Sequence, residues 1–249
     1  MRRGAVILVL WAALAASAMP ARAQPATPAP PAGAVQLDRV VAAIGANIIL
    51  ESDVRMEMRL STLEPLQVLP GEDTPARALR RLIDRTLILE QMKVQQQPVT
   101  TPPAQVTQAI ETLRRQIPGC SRRRCETEKG WDAFLQAHDL TAELVRERWS
   151  QRMAILRFID MRFRAGIRIS NEQIASYYSR TLIPALAREH EPAPPLADVS
   201  PRIREILLQQ QVSSLFQGWL ASLRDQGNVQ IVDPAFSADL DAQSGEGNE

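Results

Sequence analysis

Apolar residues recur along most of this chain at spacings of three and four, which is the period of an amphipathic helix. Near the start, two runs rich in β-branched residues, 37–44 and 48–50, flank the turn-forming Gly45-Ala46-Asn47 and predict a β-hairpin. A lone hairpin is only marginally stable, so it needs a partner. The last apolar run, residues 229–232, predicts a short strand that pairs with the hairpin.

Capping residues and prolines mark the ends of the first two predicted helices. Ser52 predicts the N-cap of a helix that stops near Pro65. Thr74 followed by Pro75 predicts the start of a longer helix, which runs to about Gln97. The inward stripe of this second helix is predicted to consist of Leu79, Leu82, Ile83, Thr86 and Leu89.

Three more helices are predicted in the middle of the chain. One covers residues 101–117, a short one follows Gly130, and the longest covers residues 141–164. The inward residues of the longest helix are predicted to be Val145, Trp149, Met153, Leu156 and Phe163. Charged residues on its other faces are predicted to be mostly solvated surface: Arg146, Glu147, Arg148, Arg152 and Arg157.

The last third of the folded region is also predicted to be helical. Ser170 and Gln173 form a capping-box pattern, and Ser200-Pro201 predicts the start of a final long helix that Gly227 ends. The pattern as a whole predicts a mainly α fold. It is a multi-helix domain with a small antiparallel sheet, built from the N-terminal hairpin and a C-terminal strand, and closed by a long C-terminal helix.

Residues 1–23 have the pattern of a secretory signal peptide. Arg2 and Arg3 precede an apolar run over residues 5–18, and Ala21-Arg22-Ala23 is a small-x-small cleavage pattern. The alternative is a membrane anchor, but the run is shorter than the roughly 20 residues that span a bilayer. We therefore expect export to the periplasm, cleavage before Gln24 and no stable membrane insertion.

Composition divides the remaining chain into three parts. Residues 24–34 are almost entirely Pro, Ala, Gly and Thr and predict a flexible linker, residues 35–233 carry the folded domain, and residues 234–249 predict a disordered acidic tail. The leader contributes three of the 29 basic residues and none of the 28 acidic ones, so the mature chain has a net charge of −2. This charge does not favour nucleic-acid binding.

Cys120 and Cys125 are the only cysteines in the chain. In an exported protein, two nearby thiols are typical of one small-loop disulfide between helices. A zinc site would need two more ligands, and the only histidines, His138 and His190, lie far away in sequence. A redox role is weakly supported because the spacing is not Cys-x-x-Cys, although the adjacent arginines could lower a thiolate pKa.

The sequence contains no clear catalytic, cofactor or metal constellation. Two carboxylate pairs, Asp84 with Glu90 and Glu143 with Glu147, occur within predicted helices. Such pairs are usually solvated partners of basic residues. Neither histidine lies near an obvious nucleophile in sequence, so we expect no enzyme activity and no cofactor.

Several stretches, taken in order, resemble the chaperone portion of SurA-type periplasmic folding factors. They are residues 40–54 (VVAAIGANIILESDV), 80–89 (RRLIDRTLIL), the helix around Phe134, the Arg-rich long helix, 167–174 (IRISNEQI) with Tyr177-Tyr178, and 218–224 (GWLASLR). The resemblance covers most of residues 35–233 and implies a SurA N-terminal-type chaperone domain.

The chain departs from that family where a parvulin prolyl-isomerase domain usually follows the tyrosine-bearing helix. The corresponding stretch, roughly residues 182–200, is far too short for a domain. The resemblance therefore implies an ATP-independent chaperone that binds unfolded or nascent outer-membrane and periplasmic proteins. Two alternatives stay open: a prolyl isomerase family member with degenerate activity, and a dedicated assembly or scaffold partner, including a homodimer.

Candidate client contacts are flexible or amphipathic side chains. The five methionines of the mature chain suit varied apolar partners, or else fill the core, and Tyr177 and Tyr178 could meet client segments through their rings. The candidates are Met56, Met58, Met153, Met161, Tyr177 and Tyr178, with Met92 as the remaining methionine.

Overall fold

A computed structural model describes residues 38–64, 73–117 and 120–236 of the chain. The predicted signal peptide, the linker and most of the acidic tail lie outside the described residues. The strands are β1 (Val40–Ile44), β2 (Asn47–Leu50) and β3 (Val229–Ile231). The helices are α1 (Glu51–Leu60), α2 (Pro75–Val94), α3 (Pro103–Gln116), α4 (Cys120–Arg123), α5 (Glu128–Ala137), α6 (Ala142–Phe163), α7 (Asn171–Tyr177), α8 (Ile183–Glu189) and α9 (Leu196–Gln226). The predicted mainly α fold with a small antiparallel sheet is confirmed.

The sheet has the strand order β2-β1-β3, and both pairings are antiparallel. Ala43 of β1 lies opposite Ile48 on one side and Gln230 on the other. The hairpin turn is shorter than predicted, because Asn47 belongs to β2 and only Gly45 and Ala46 form the turn. Gly45 has a φ of +55°, a conformation that glycine adopts without strain.

Local capping explains which helix starts were predicted correctly. The Thr74 hydroxyl accepts a hydrogen bond from the Arg77 amide at 3.2 Å, and the Ser170–Gln173 capping box is present. The predicted Ser52 cap is wrong, since α1 begins at Glu51 and the Asp53 carboxylate accepts from the Leu50 amide at 2.9 Å. The Ser52 hydroxyl donates instead to Asp38.

Other boundaries also differ from the prediction. The second helix ends at Val94 rather than near Gln97, and the third starts at Pro103 because Thr101 is bonded to Ser150 of α6. The helix predicted after Gly130 begins before it, at Glu128. A Cβ on Gly130 would lie 2.2 Å from the Arg124 carbonyl oxygen, so this turn requires glycine.

The apolar core consists of two clusters. The first joins the sheet to α2, the second half of α6 and the end of α9, and includes Val41, Ile44, Leu79 and Phe158. The second joins α3, α5 and the first half of α6 around Trp131. In α2 the buried residues after Ile83 are Leu87, Ile88 and Met92, whereas the predicted Thr86 and Leu89 are only half-buried.

α6 serves both clusters by changing its buried face. Trp149 packs in the second cluster and Phe158 in the first, and at 100° per residue these side chains point about 180° apart. Leu156 shares the direction of Trp149 but lies beyond the second cluster. It is therefore 55% exposed, and its predicted inward position is wrong.

α9 is the longest helix of the described chain, at 31 residues, and it begins at Leu196 rather than at Ser200-Pro201. Pro201 lies inside the helix, so the Ala197 carbonyl loses its usual donor. Ile203 is buried where α7 packs against α9, whereas Leu220 and Leu223 are buried in the first cluster. Ile203 and Leu223 point about 160° apart, so α9 also changes its buried face along its length.

The folded region extends beyond the predicted boundary at Asp233. Residues 234–236 form a helical turn, and Phe236 is buried in the first cluster. The prediction that the disordered tail begins at Pro234 is therefore wrong for its first three residues. Within the described residues, no helix has both the length and the apolar character to cross a bilayer.

Candidate functional site

The methionines singled out from the sequence fall into different environments. Met58 packs against the first cluster, and Met56 and Met153 pack against the second. Met92 is 1% exposed and fills the core, whereas Met161 is 52% exposed. Of these five side chains, only Met161 offers most of its surface to a partner.

Tyr177 and Tyr178 lie where α7 runs into the π-helical turn Tyr178–Leu182. Both are half-buried, and the Tyr178 hydroxyl donates a 2.6 Å hydrogen bond to the Pro194 carbonyl. Tyr178 thus joins α7 to the loop before α9. Its hydroxyl serves the protein's own chain, which leaves the two rings as half-exposed apolar surface.

A continuous apolar stripe lies on α9 between its two buried ends. Its residues are spaced by three and four and therefore share one helix face. None of them is buried, and Leu215 is 51% exposed. We call this the α9 stripe: Leu208, Val212, Leu215, Phe216 and Trp219.

An aromatic group joins the C-terminal end of the α9 stripe to α6. The ring of Phe163 lies 6.3 Å from Phe216 and 5.6 Å from Trp219, in edge-to-face arrangements. The guanidinium of Arg162 stacks on Phe163 at 5.6 Å and on Trp219 at 5.1 Å. This end of the stripe therefore offers aromatic edges and one exposed cation together.

A buried ion cluster lies between the two apolar cores. Glu57 of α1 is 3% exposed, and its carboxylate accepts from Arg81 at 3.3 Å, Arg85 at 2.7 Å and Arg148 at 2.8 Å. Arg81 also donates to Asp73 at 2.8 Å. Burying one carboxylate is tolerable because three guanidinium groups replace its water.

The sequence did not predict this ion cluster, and the cluster corrects one prediction. Arg148 was predicted to be solvated, but its side chain is 20% exposed because it reaches Glu57. Arg152, also predicted to be solvated, bonds Glu64 at 2.6 Å. The only local signal was the spacing of Arg81 and Arg85, which lie one helical turn apart on α2.

A cavity of about 270 Å³ opens beside Glu57, with Arg85, Arg148, Leu82 and Leu144 in its wall. Every arginine in this wall already donates to Glu57. Since Arg85 and Arg148 come from different helices, this cluster holds α1, α2 and α6 together where the apolar cores meet. The ion cluster therefore has a structural role in connecting three helices.

Cys120 and Cys125 form a disulfide with their Cα atoms 5.1 Å apart. Both are buried within the second cluster. The bridge closes the turn between α3 and α5, and it packs the turn onto Trp131 and its neighbours. Neither sulfur is exposed to solvent, which places the disulfide in the core rather than at a surface.

The carboxylates and histidines considered as catalytic candidates make contacts within the fold. Asp84 accepts two 2.6 Å hydrogen bonds from Arg224 of α9, which raise the pKa of the Arg224 guanidinium, and Glu90 accepts from Asn47 of β2. His138 lies against Phe134, and His190 ends α8 in the left-handed conformation. In the described residues, no three His, Cys, Asp or Glu side chains group as metal ligands.

Comparison of the sequence with models of protein families and with curated proteins finds no match in either case.

Proposed function

We propose that this protein is an ATP-independent periplasmic chaperone that holds unfolded polypeptides on the α9 stripe. The observation that carries the proposal is the stripe itself. A 31-residue helix has five apolar residues on one face; Phe216 and Trp219 pack partly against the first cluster, but none of the five is fully buried and Leu215 is 51% exposed. A helix face with helical apolar spacing is normally buried against the rest of the protein. A face that stays partly exposed is therefore suited to reversible binding of a partner.

The chemistry of the stripe suits weak binding of varied segments. Apolar burial contributes about 25 cal/mol per Å², and ordering an extended client costs part of that gain. Aromatic rings add contact area at low entropy cost, and Arg162 adds hydrogen-bond donors for a client backbone. Binding on such a surface would be modest in affinity and reversible without ATP.

Two features of the sequence support this proposal over an isomerase. The order of motifs resembles the SurA chaperone portion, and residues 1–23 resemble an export signal. Between Tyr178 and α9 lie only the π-helical turn, the seven-residue α8 and a short loop. A chaperone that binds outer-membrane proteins in transit fits these features without a separate catalytic domain.

The proposal is tested by diluting a urea-denatured outer-membrane β-barrel protein into buffer with the purified protein and following light scattering. We expect suppression at near-stoichiometric amounts. The double variant Val212→Gln, Leu215→Gln should lose most of it. Ile48→Gln is the matched control, because Ile48 is 60% exposed on the sheet, away from α9.

Two results would overturn the proposal. One is the absence of suppression by the unaltered protein, and the other is equal suppression by the double variant. A dedicated scaffold partner or a homodimer would fill the stripe permanently. In that case, static light scattering would give a dimer or heteromeric mass that the double variant reduces to a monomer.

A further inference from the structure

A second cavity, of about 210 Å³, lies between α3, α5 and α6 beside the second cluster. Arg114 of α3 stands in its wall with a side chain only 13% exposed. The guanidinium lies over the Trp131 ring, 4.9 Å from its centroid. Trp131 is 2% exposed, so a charged group is stacked on the aromatic centre of the cluster.

The partner of this buried arginine is a surface residue. Glu128 receives two hydrogen bonds from Arg114, Nη1 to Oε1 at 2.7 Å and Nη2 to Oε2 at 3.4 Å. This is the two-point geometry by which arginine recognises a carboxylate. The Glu128 side chain is 81% exposed, so packing does not fix it in place. The hydrogen bond from Arg114 lowers the pKa of the Glu128 carboxyl, which stays ionised at neutral pH.

One donor of Arg114 is unused. Its Nε is buried and makes no hydrogen bond to any residue that the structure describes. A buried donor without a partner costs free energy, which an acceptor entering the cavity would recover. Glu128 reaches only the outer two nitrogens and does not relieve this cost.

The rest of the cavity wall indicates what such a ligand would carry. Ile110, Trp131, Ala142 and Val145 provide apolar surface. The charged groups that also line the cavity, Glu111 and Arg146, have opposite signs and offset each other. An apolar cavity of about 150 Å³ already accommodates benzene, so this one has room for a branched aliphatic group or an aromatic ring.

We propose that this cavity binds a carboxylate carried on a small apolar body, with Glu128 as an internal group that the ligand displaces from Arg114. The ligand carboxylate takes the two-point contact and reaches toward Nε, while its apolar body lies against Ile110 and Ala142. The site does not depend on the α9 stripe. It differs from the Glu57 cavity, where the carboxylate that occupies the arginines is itself buried.

The test uses N-acetyl-leucine as the probe and N-acetyl-leucinamide as its uncharged match. The indole N–H resonance of Trp131 is followed in proton–nitrogen correlation spectra at neutral pH, with Trp149 and Trp219 as internal references. We expect N-acetyl-leucine to shift the Trp131 resonance with saturation. The amide should leave it unchanged.

Glu128→Gln removes the internal competitor from an exposed position and should leave the fold intact. We expect it to tighten N-acetyl-leucine binding by up to about fivefold, as expected for loss of a weak surface ion pair. Glu126→Gln is the matched control, since Glu126 is exposed two residues away and its removal makes the same charge change. Arg114→Lys keeps the charge but removes the planar pair of guanidinium donors that binds a carboxylate at two points, and it should abolish binding.

Three results would overturn the proposal. They are no saturable shift in the unaltered protein or in Glu128→Gln, equal binding of acid and amide, and equal tightening by Glu126→Gln and Glu128→Gln. Two further probes identify the source of the carboxylate. Binding of 4-methylpentanoate but not of the free-acid peptide acetyl-Ala-Ala-Ala-Leu supports a free organic acid. Tighter binding of that peptide supports a polypeptide C-terminus.

Discussion

Glu57 and Arg148 lie 91 positions apart in the chain, and their side chains meet at 2.8 Å between Oε1 and Nη2. The contact joins α1 to α6 where α6 changes from one apolar core to the other. Arg85 joins α2 to the same carboxylate at 2.7 Å. Three helices therefore converge on one buried anion, and the relative position of the two cores depends on it.

Replacing that anion should destabilise the whole fold. Glu57→Gln leaves three guanidinium groups facing a neutral amide in a site that is 3% exposed. Breaking a buried ion pair by removing one partner costs about 3–5 kcal/mol, so we expect a loss of about 3 kcal/mol in the free energy of unfolding in urea. The control is Glu147→Gln, an exposed carboxylate in the wall of the same cavity. A loss below about 1 kcal/mol would show that the cluster contributes no net stability.

The sequence predicts those parts of the fold whose signals come from residues close together along the chain. The hairpin, β3 and the Thr74 and Ser170 caps depend on residues within a few positions of one another, and all were predicted correctly. Arg148 and Leu156 were placed wrongly because their environment depends on which core α6 faces at each turn. That information lies in other helices and not in the spacing along α6.

The two candidate sites also depend on contacts between elements that are distant along the chain. The sequence predicts a long final helix, but it does not show which apolar residues of α9 stay partly exposed, because that depends on where α2, α6 and α7 lie. The pairing of Arg114 with Glu128 links two helices across the disulfide turn. Charged residues surround both positions, and nothing in the sequence distinguishes this pair from its solvated neighbours.

Reducing the disulfide should weaken the second core. The bridge closes a loop with a sequence separation of five, and a loop of that size contributes about 2 kcal/mol in the chain-entropy account. We expect the midpoint of urea unfolding to fall when a phosphine reductant is added. The chain has no other cysteines, so the reductant has no second target. An unchanged midpoint would mean that packing around Trp131 alone holds the turn.

Asp38 gives the stability a defined pH dependence. The Ser52 hydroxyl donates to its carboxylate, and the Arg39 and Ser52 amides add further hydrogen bonds, which together lower the Asp38 pKa below its usual 3.8. Because the pKa of Asp38 is lower in the folded than in the unfolded state, its contribution to folding stability is complete above the unfolded-state pKa. It is lost as the pH falls through the folded value.

Asp38→Asn should therefore lower the urea midpoint at pH 7, and the difference from the unaltered protein should shrink as the pH falls below about 4. Asp132→Asn, at an exposed position of α5, is the control and should show no such trend. A midpoint difference that stays constant from pH 7 to pH 3 would contradict an ionised role for Asp38.

Because α9 changes its buried face along its length, truncating two apolar residues of this helix should have very different effects on the free energy of unfolding. Ile203 is 2% exposed, and its replacement by alanine removes packing between α7 and α9, at a cost of about 2–4 kcal/mol. Leu215 is 51% exposed in the α9 stripe, and Leu215→Ala should change the free energy of unfolding by less than about 0.5 kcal/mol. Both variants remove side-chain carbons from an aliphatic residue, so urea unfolding compares them directly. Equal costs would mean that the stripe is covered in solution, by a second copy or by another part of the chain, and it would then be closed to an unfolded client.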